Sequence, residues 1–407
     1  MRHRMVIGER LVLVAAVLAM VGASAACADD AAEPASPAES SGSAHGHGQG
    51  PPPSPQPLRD GERFVTLTMA QPYAPAAPNG GTDEYRCFLV DPKLSTKAYL
   101  TGSQFLPQNV DMVHHAIFFR VAPAGAQQAR ALDQRTPGDG WQCFGDSGID
   151  DDAWVAHWAP GANEVLLGQG VGYEMPPGAQ LVMQVHYNLL AANNKTGNST
   201  AGTDKTNTDK ATSTDQSSIR LRLADGSTAM TPLDTYQVAA PIELPCTPEE
   251  SGPLCDRNAA IADVTRRFGE EVGGSAAQLL EWCNKGKLAP GVTQRCDYPM
   301  EDAVTVYATA GHMHLLGRAI KMELNPGTPN ASTLLDVPQY NFDDQAIRPL
   351  AAPVTLKKGD VVRVTCTHDA GLRKLLPQLR QLPPRYVVWG DGTSDEMCLG
   401  LLIGTKA

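Results

Sequence analysis

The chain has 407 residues, of which 42% are apolar and 19% charged, with a formal net charge of −11 at neutral pH. That length and apolar share suffice for two packed domains. The acidic balance excludes a nucleic-acid partner, because meeting phosphates takes a basic footprint.

Residues 1–27 read as an export signal. MRHRMVIGER carries three arginines. The run LVLVAAVLAMVGASAA is apolar but short of the roughly 20 apolar residues that a spanning helix needs, and it ends in small side chains. Ser24, Ala25 and Ala26 lead directly into Cys27. This resembles a bacterial lipobox, in which Cys27 becomes the lipidated N-terminus of a protein at the cell surface or in the periplasm. Simple secretion after a cut near Ala25 is the alternative. A lipid on Cys27 would add membrane affinity by burying methylenes, and no other membrane contact is expected. Setting Cys27 aside leaves Cys87, Cys143, Cys246, Cys255, Cys283, Cys296, Cys366 and Cys398. An even number in an exported chain suggests disulfides. None forms a CxxC pair, which argues against a zinc ribbon or a thioredoxin-like site.

Residues 28–60 are rich in Ala, Pro, Ser and Gly and read as a disordered tether, with His45 and His47 as spacer residues. From residue 61 onward, runs such as RFVTLTM, HHAIFFRV, AQLVMQVHYNL, SIRLRLA, AVTVYATA and DVVRVTC are separated by Gly, Pro, Asn and Asp. Short β-branched and aromatic runs at this spacing predict an all-β sandwich or barrel. A polar low-complexity stretch, AANNKTGNSTAGTDKTNTDKATSTDQSS, reads as a loop. RNAAIADVTRRFGEEVGGSAAQLLEWCNKGK reads as a helical insertion broken in its middle by the glycine pair. Cys246, Cys255, Cys283 and Cys296 bracket it and allow three pairings. A change of domain is expected near residue 228, giving 61–228 and 229–407.

Five histidines stand in or beside predicted strands: His114, His115, His186, His312 and His314. Alternation along a strand puts His312 and His314 on one face, where they could share an ion. His114 and His115 face opposite ways unless the strand bends or ends there. His157 and His368 have no such partner and read as ordinary core or surface residues. Met397 would normally be core packing, yet a thioether is a soft ligand suited to cuprous copper.

Taken in order, HH, QVHY, HMH and DEMC resemble the copper type II, ascorbate-dependent monooxygenases, the family of peptidylglycine α-hydroxylating monooxygenase and dopamine β-monooxygenase. EYRCF, WAPG, GVGYEMPPG and GTSDEMC fall in the order of that family's segments. The resemblance implies two jelly-roll-like antiparallel β-sandwich domains in tandem and two copper ions facing each other across a wet cleft. It implies an electron-transferring copper on His114, His115 and His186, and an oxygen-binding copper on His312, His314 and Met397. Tyr85 and Gln184 would lie near the first copper, and Cys87–Cys143 and Cys366–Cys398 would be disulfides. The residue chemistry agrees. Imidazole serves both copper oxidation states, thioether sulfur favours the reduced one, and no Cys ligand suggests a blue-copper carrier. Methionine fits zinc poorly. Ligation needs neutral imidazoles, so copper affinity is expected to fall below about pH 6.5.

The resemblance stops at the substrate. In the peptide-amidating enzymes an arginine stands two residues before the HxH; here Ala310 does, and Leu399 and Leu401 follow the copper methionine. The expected partners are dioxygen, an external one-electron reductant and a small apolar or aromatic C–H substrate, because an unpaired carboxylate in such surroundings would cost several kcal/mol. An exported copper-binding or storage protein without oxygenase activity would use the same ligands and is the alternative.

Overall fold

The computed structural model describes residues 53–160, 162–189 and 213–406. The export signal with Cys27, His45 and His47, and most of the polar loop lie outside the described residues. The protein is all-β, built from stacked antiparallel sheets. In the first half, strands Glu62–Thr68, Ser218–Asp225, Ala98–Leu106, Val171–Met175 and Thr231–Pro232 lie side by side in that order, with Val165–Leu166 attached to Ala98–Leu106. A second sheet orders Trp141–Gln142, Asp83–Val90, Gln180–Asn188, Val113–Val121 and Asp152–Trp158. The apolar residues between them, among them Phe88, Leu100, Phe118 and Met183, form one core. Gln180–Asn188 is central in its sheet and buried along its whole length. Its Gln184 and His186 are therefore inside protein on both faces, an arrangement that costs free energy unless each polar atom finds a partner.

In the second half, Asp234–Ala239, Leu399–Lys406, Val304–His312 and Arg348–Leu356 form one sheet, and Thr293–Pro299, Val361–His368, Gly317–Leu324 and Ser332–Val337 the other. Thr293–Pro299 shows the physics of a half-buried strand, with Gln294, Cys296 and Tyr298 inside and their neighbours outside. The two halves are not separate cores. Ala308 and Ile403, from the first sheet of the second half, pack into the core of the first half.

The last residues of the tether are not a free spacer. Arg222 is buried, pairs with Glu62 and Glu164, and donates to the carbonyls of Gln56 and Pro57 at 2.6 and 2.9 Å. A buried guanidinium has five donors to satisfy, and this stretch of backbone supplies the remaining acceptors. The helical insertion, Arg257–Asn284, breaks at Gly269 and not at the Gly273–Gly274 pair. Gly269 takes φ 89°, which a side chain disfavours. Gly273 serves packing instead: a Cβ there would lie 2.0 Å from Thr265 Oγ1, on the turn before the break. Asp256 caps the start by accepting from the Ala259 amide at 2.9 Å. Disulfides Cys246–Cys255 and Cys283–Cys296 tie down the two ends.

Candidate metal centre

Three adjacent strands deliver the first set of imidazoles. Tyr85 on Asp83–Val90 pairs in register with His186 on Gln180–Asn188, and His186 pairs with His115 on Val113–Val121. The register slips between Val113 and His115. Such a bulge places an extra residue and turns it, so consecutive His114 and His115 both reach the same space. His115 Nδ1 lies 3.1 Å from His114 Nδ1 and 3.3 Å from His186 Nδ1. One ligand atom from each of the three residues lies within 4.8 Å of the others. The Tyr85 ring stacks on His186 at 4.1 Å and 9°, and its hydroxyl donates to the Asp391 carbonyl at 2.7 Å. The Gln184 amide donates to the Asp146 carbonyl at 2.9 Å.

The second set forms differently from the strand alternation expected. His312 is the last residue of Val304–His312, opposite Leu399, and His314 lies beyond the strand in the turn closed by Gly317 N–H to the His314 carbonyl. The loop that carries Met397 holds it there. Glu396 accepts from the amides of His314 and Leu316 at 2.9 and 2.6 Å, and the Asp395 carbonyl accepts from His314 Nδ1–H at 3.2 Å. His312 Nδ1–H donates to Gln345. Both rings thus keep Nε2 for a ligand, and Nε2 of His314 is buried without a hydrogen-bond partner. The ring centroids of His312 and His314 are 5.1 Å apart.

The two sets do not face each other across a wet gap. The centroids of His115 and His312 are 5.6 Å apart, and Phe342 stacks on His114 at 4.1 Å. Core residues shared between the halves, and the Tyr85–Asp391 bond, draw the sets together. A cavity of about 80 Å³ lies at their junction. His115, His312, Met397, Gln184 and Tyr85 line it, with Ile117, Trp154, Trp158, Ala310, Leu399 and Leu401. His157 also lines this cavity. His368 lies beneath the Met397 loop, 3.6 Å from Glu396.

Burial sets the protonation. It pushes His115 well below its usual range, with His186 adding to the effect. His312 falls to about 3, through burial and then His314, and burial brings His314 to about 4. Proton competition for these imidazoles therefore begins at lower pH than the 6.5 expected from sequence. Burial also lifts Glu396 to about 8.

The residues fit a metal ion: three imidazoles each bring a ligand atom within 4.8 Å of the others, Nε2 of His314 is buried without a hydrogen-bond partner, and Met397 borders the same cavity as His312. Nitrogen and thioether donors without thiolate suit copper. Residues 287–403 match the family described as copper type II ascorbate-dependent monooxygenase, C-terminal domain. That stretch of the chain is similar to the C-terminal domain of these enzymes. The matched stretch includes His312, His314 and Met397. Similar solved structures include the major capsid protein P2 from bacteriophage PM2, at 7% identity over 85% of this chain and 98% of that one with TM-score 0.29. PNGF-II is 11% identical over 85% and 65%, with TM-score 0.30. Likenesses this distant carry no argument.

Cys87–Cys143 and Cys366–Cys398 are joined. The second bond ties the residue after Met397 to strand Val361–His368. Replacing Cys366 and Cys398 together by serine is expected to lower stability by about 2–5 kcal/mol, read from urea unfolding. Sequence reasoning missed Asp83, Gln345, Phe342 and Glu396. Asp83 stands two residues before Tyr85 and so shares its strand face, a signal that was legible. Gln345 and Phe342 come from a loop whose path no local pattern announces.

Proposed function

We propose that the protein is a copper-dependent monooxygenase that hydroxylates a C–H bond of a small apolar or aromatic substrate, using dioxygen and an ascorbate-type one-electron reductant. In this reading the half spanning 61–228 holds one copper on His114, His115 and His186, and the half spanning 229–407 holds the other on His312, His314 and Met397. Bound copper supplies one-electron redox chemistry by cycling between its two oxidation states. The chain's own residues do the rest. Gln345 and the Asp395 carbonyl fix the second set's tautomers, and the thioether of Met397 favours the reduced ion. The Trp154, Trp158 and leucine walls exclude water and hold an apolar substrate beside the ligands, which lowers the barrier by prior positioning.

The observation that carries this reading is the cavity between the two ligand sets, bordered by His115, His312 and Met397. Ala310, Leu399 and Leu401 face it, and among its lining residues there is no Arg or Lys to pair with a carboxylate. The test is an ascorbate-fed oxygen-consumption screen of the copper-loaded protein. Small apolar and aromatic compounds should stimulate uptake and gain one oxygen atom, whereas carboxylate-terminated peptides should not. Tight copper binding with no stimulated uptake would favour the storage alternative. Four disulfides among the described residues fit an oxidising, extracytoplasmic compartment. No described helix is long and apolar enough to cross a membrane. Attachment through a lipid on Cys27 belongs to the proposal.

A further inference from the structure

Asp83 opens the strand that carries Tyr85 and is almost wholly enclosed. Its Oδ1 accepts from His186 Nε2–H at 2.9 Å and also from the hydroxyl of Thr393, which comes from the other half of the protein. Its Oδ2 accepts from Thr82 at 2.7 Å. Thr393 is itself fully buried. We propose that Asp83 and Thr393 form a relay that couples the three-histidine set to the loop carrying Met397, both acting as positioning residues through His186. The inference rests on the copper reading for its consequences, though not for its hydrogen bonds.

An ionised carboxylate only accepts, so Nε2 of His186 carries the proton of this bond and Nδ1 is the nitrogen left for ligation. A carboxylate behind a ligating histidine fixes the ring and raises its basicity. What is unusual here is that one oxygen serves two donors from different halves. Strengthening either bond weakens the other, so a shift of the loop at Thr393 changes the basicity of His186. A second tie runs in parallel: Tyr85, stacked on His186, donates to the Asp391 carbonyl, two residues before Thr393. The same loop continues into Asp395 and Glu396, which hold His314. The path His186, Asp83, Thr393, loop, His314 is thus closed by hydrogen bonds and covalent chain.

The test compares the full-length wild type with Thr393→Val, Thr393→Ser and Asp83→Asn. In metal-free protein, nuclear magnetic resonance of His186 should show the Nε2–H tautomer. In Thr393→Val that proton should move downfield, because Asp83 Oδ1 then bonds to it alone, and Thr393→Ser should keep the wild-type position. With cupric ion added, Asp83→Asn should weaken binding at the triad by about 10–100-fold, read by chelator competition. The cupric spin-resonance spectrum should change in Thr393→Val and not in Thr393→Ser. A Thr393→Val variant whose His186 resonance and cupric spectrum both match wild type overturns the relay. If Asp83→Asn fails to fold, the two Thr393 variants decide. A wild type that takes up no cupric ion at the triad counts against the copper reading alone, and the resonance of His186 still decides the relay.

Discussion

Met397→Ile is expected to abolish substrate-stimulated oxygen uptake while leaving the three-histidine set able to bind copper. The loss should be at least about 100-fold, the upper end of what removing even an outer-shell partner of a metal ligand costs. Isoleucine is close to methionine in volume and equally apolar, so the buried position tolerates it. The backbone there does not depend on the sulfur. Glu396 anchors the loop to the His314 turn, Asp395 is clamped by Arg267 and Arg385 at 2.6 and 2.8 Å, and Cys398 is bonded to Cys366. Only the soft donor disappears. Copper stoichiometry measured on the reduced protein should fall from two per chain to one, with unfolding midpoints nearly unchanged. A variant that keeps both ions and full uptake would remove the thioether from the site and, with it, the argument that this half handles dioxygen.

The parts of this site legible in sequence were the ligand types, and the parts that were not are the means of presenting them. Alternation suggested that His312 and His314 share a strand face, but the strand ends at His312, and a carboxylate 82 residues further on in the chain fixes His314. Adjacent His114 and His115 looked like a weak pair because a regular strand splits them; a bulge, invisible in composition, reunites them. Strand runs were readable because β-branched residues alternate with polar ones, as in Val361–His368. The break at Gly269 was missed because a glycine pair nearby gave the stronger local signal, though it serves close packing. The place of His157 on the cavity was not legible for a related reason: a lone histidine carries no spacing, and its position is set by which strand its sheet neighbours bring there. The closeness of His115 and His312 depends on contacts between halves nearly 200 residues apart, which no local pattern encodes.

The metal-free protein is expected to be most stable near about pH 6 and to weaken on both sides. His157, His314 and His368 are held at about 4 and His312 at about 3, each chiefly by burial. Unfolded, these groups titrate near 6.5. Folded values below the unfolded one mean that their contribution is present above about pH 6.5 and is lost as pH falls through that window, since the unfolded chain then binds more protons. Burial acts oppositely on carboxyls: Asp152 and Asp391 rise to about 7 and Glu396 to about 8. Their contribution is complete below about pH 4 and is lost as pH rises through 7 and 8. Between about 4.5 and 6.5 four imidazoles oppose three carboxyls, so the curve should be shallow there. At about 1.4 kcal/mol per group and pH unit, the net surplus of roughly one imidazole removes on the order of 1–2 kcal/mol per unit. Below about 4.5 the carboxyls begin to protonate in the unfolded chain while His157, His314 and His368 begin to protonate in the folded one, so both contributions fade together. Above about 6.5 the carboxyls act alone, and stability should decline by a few kcal/mol by about pH 8. Urea unfolding of metal-free protein from about pH 3.5 to 8.5 measures this directly. A stability that climbs from pH 6.5 to 8 would show that Asp391 and Glu396 ionise freely in the folded state. The enclosed cluster joining the two halves would then be open to water, and the apolar cavity at its centre would lose its physical basis.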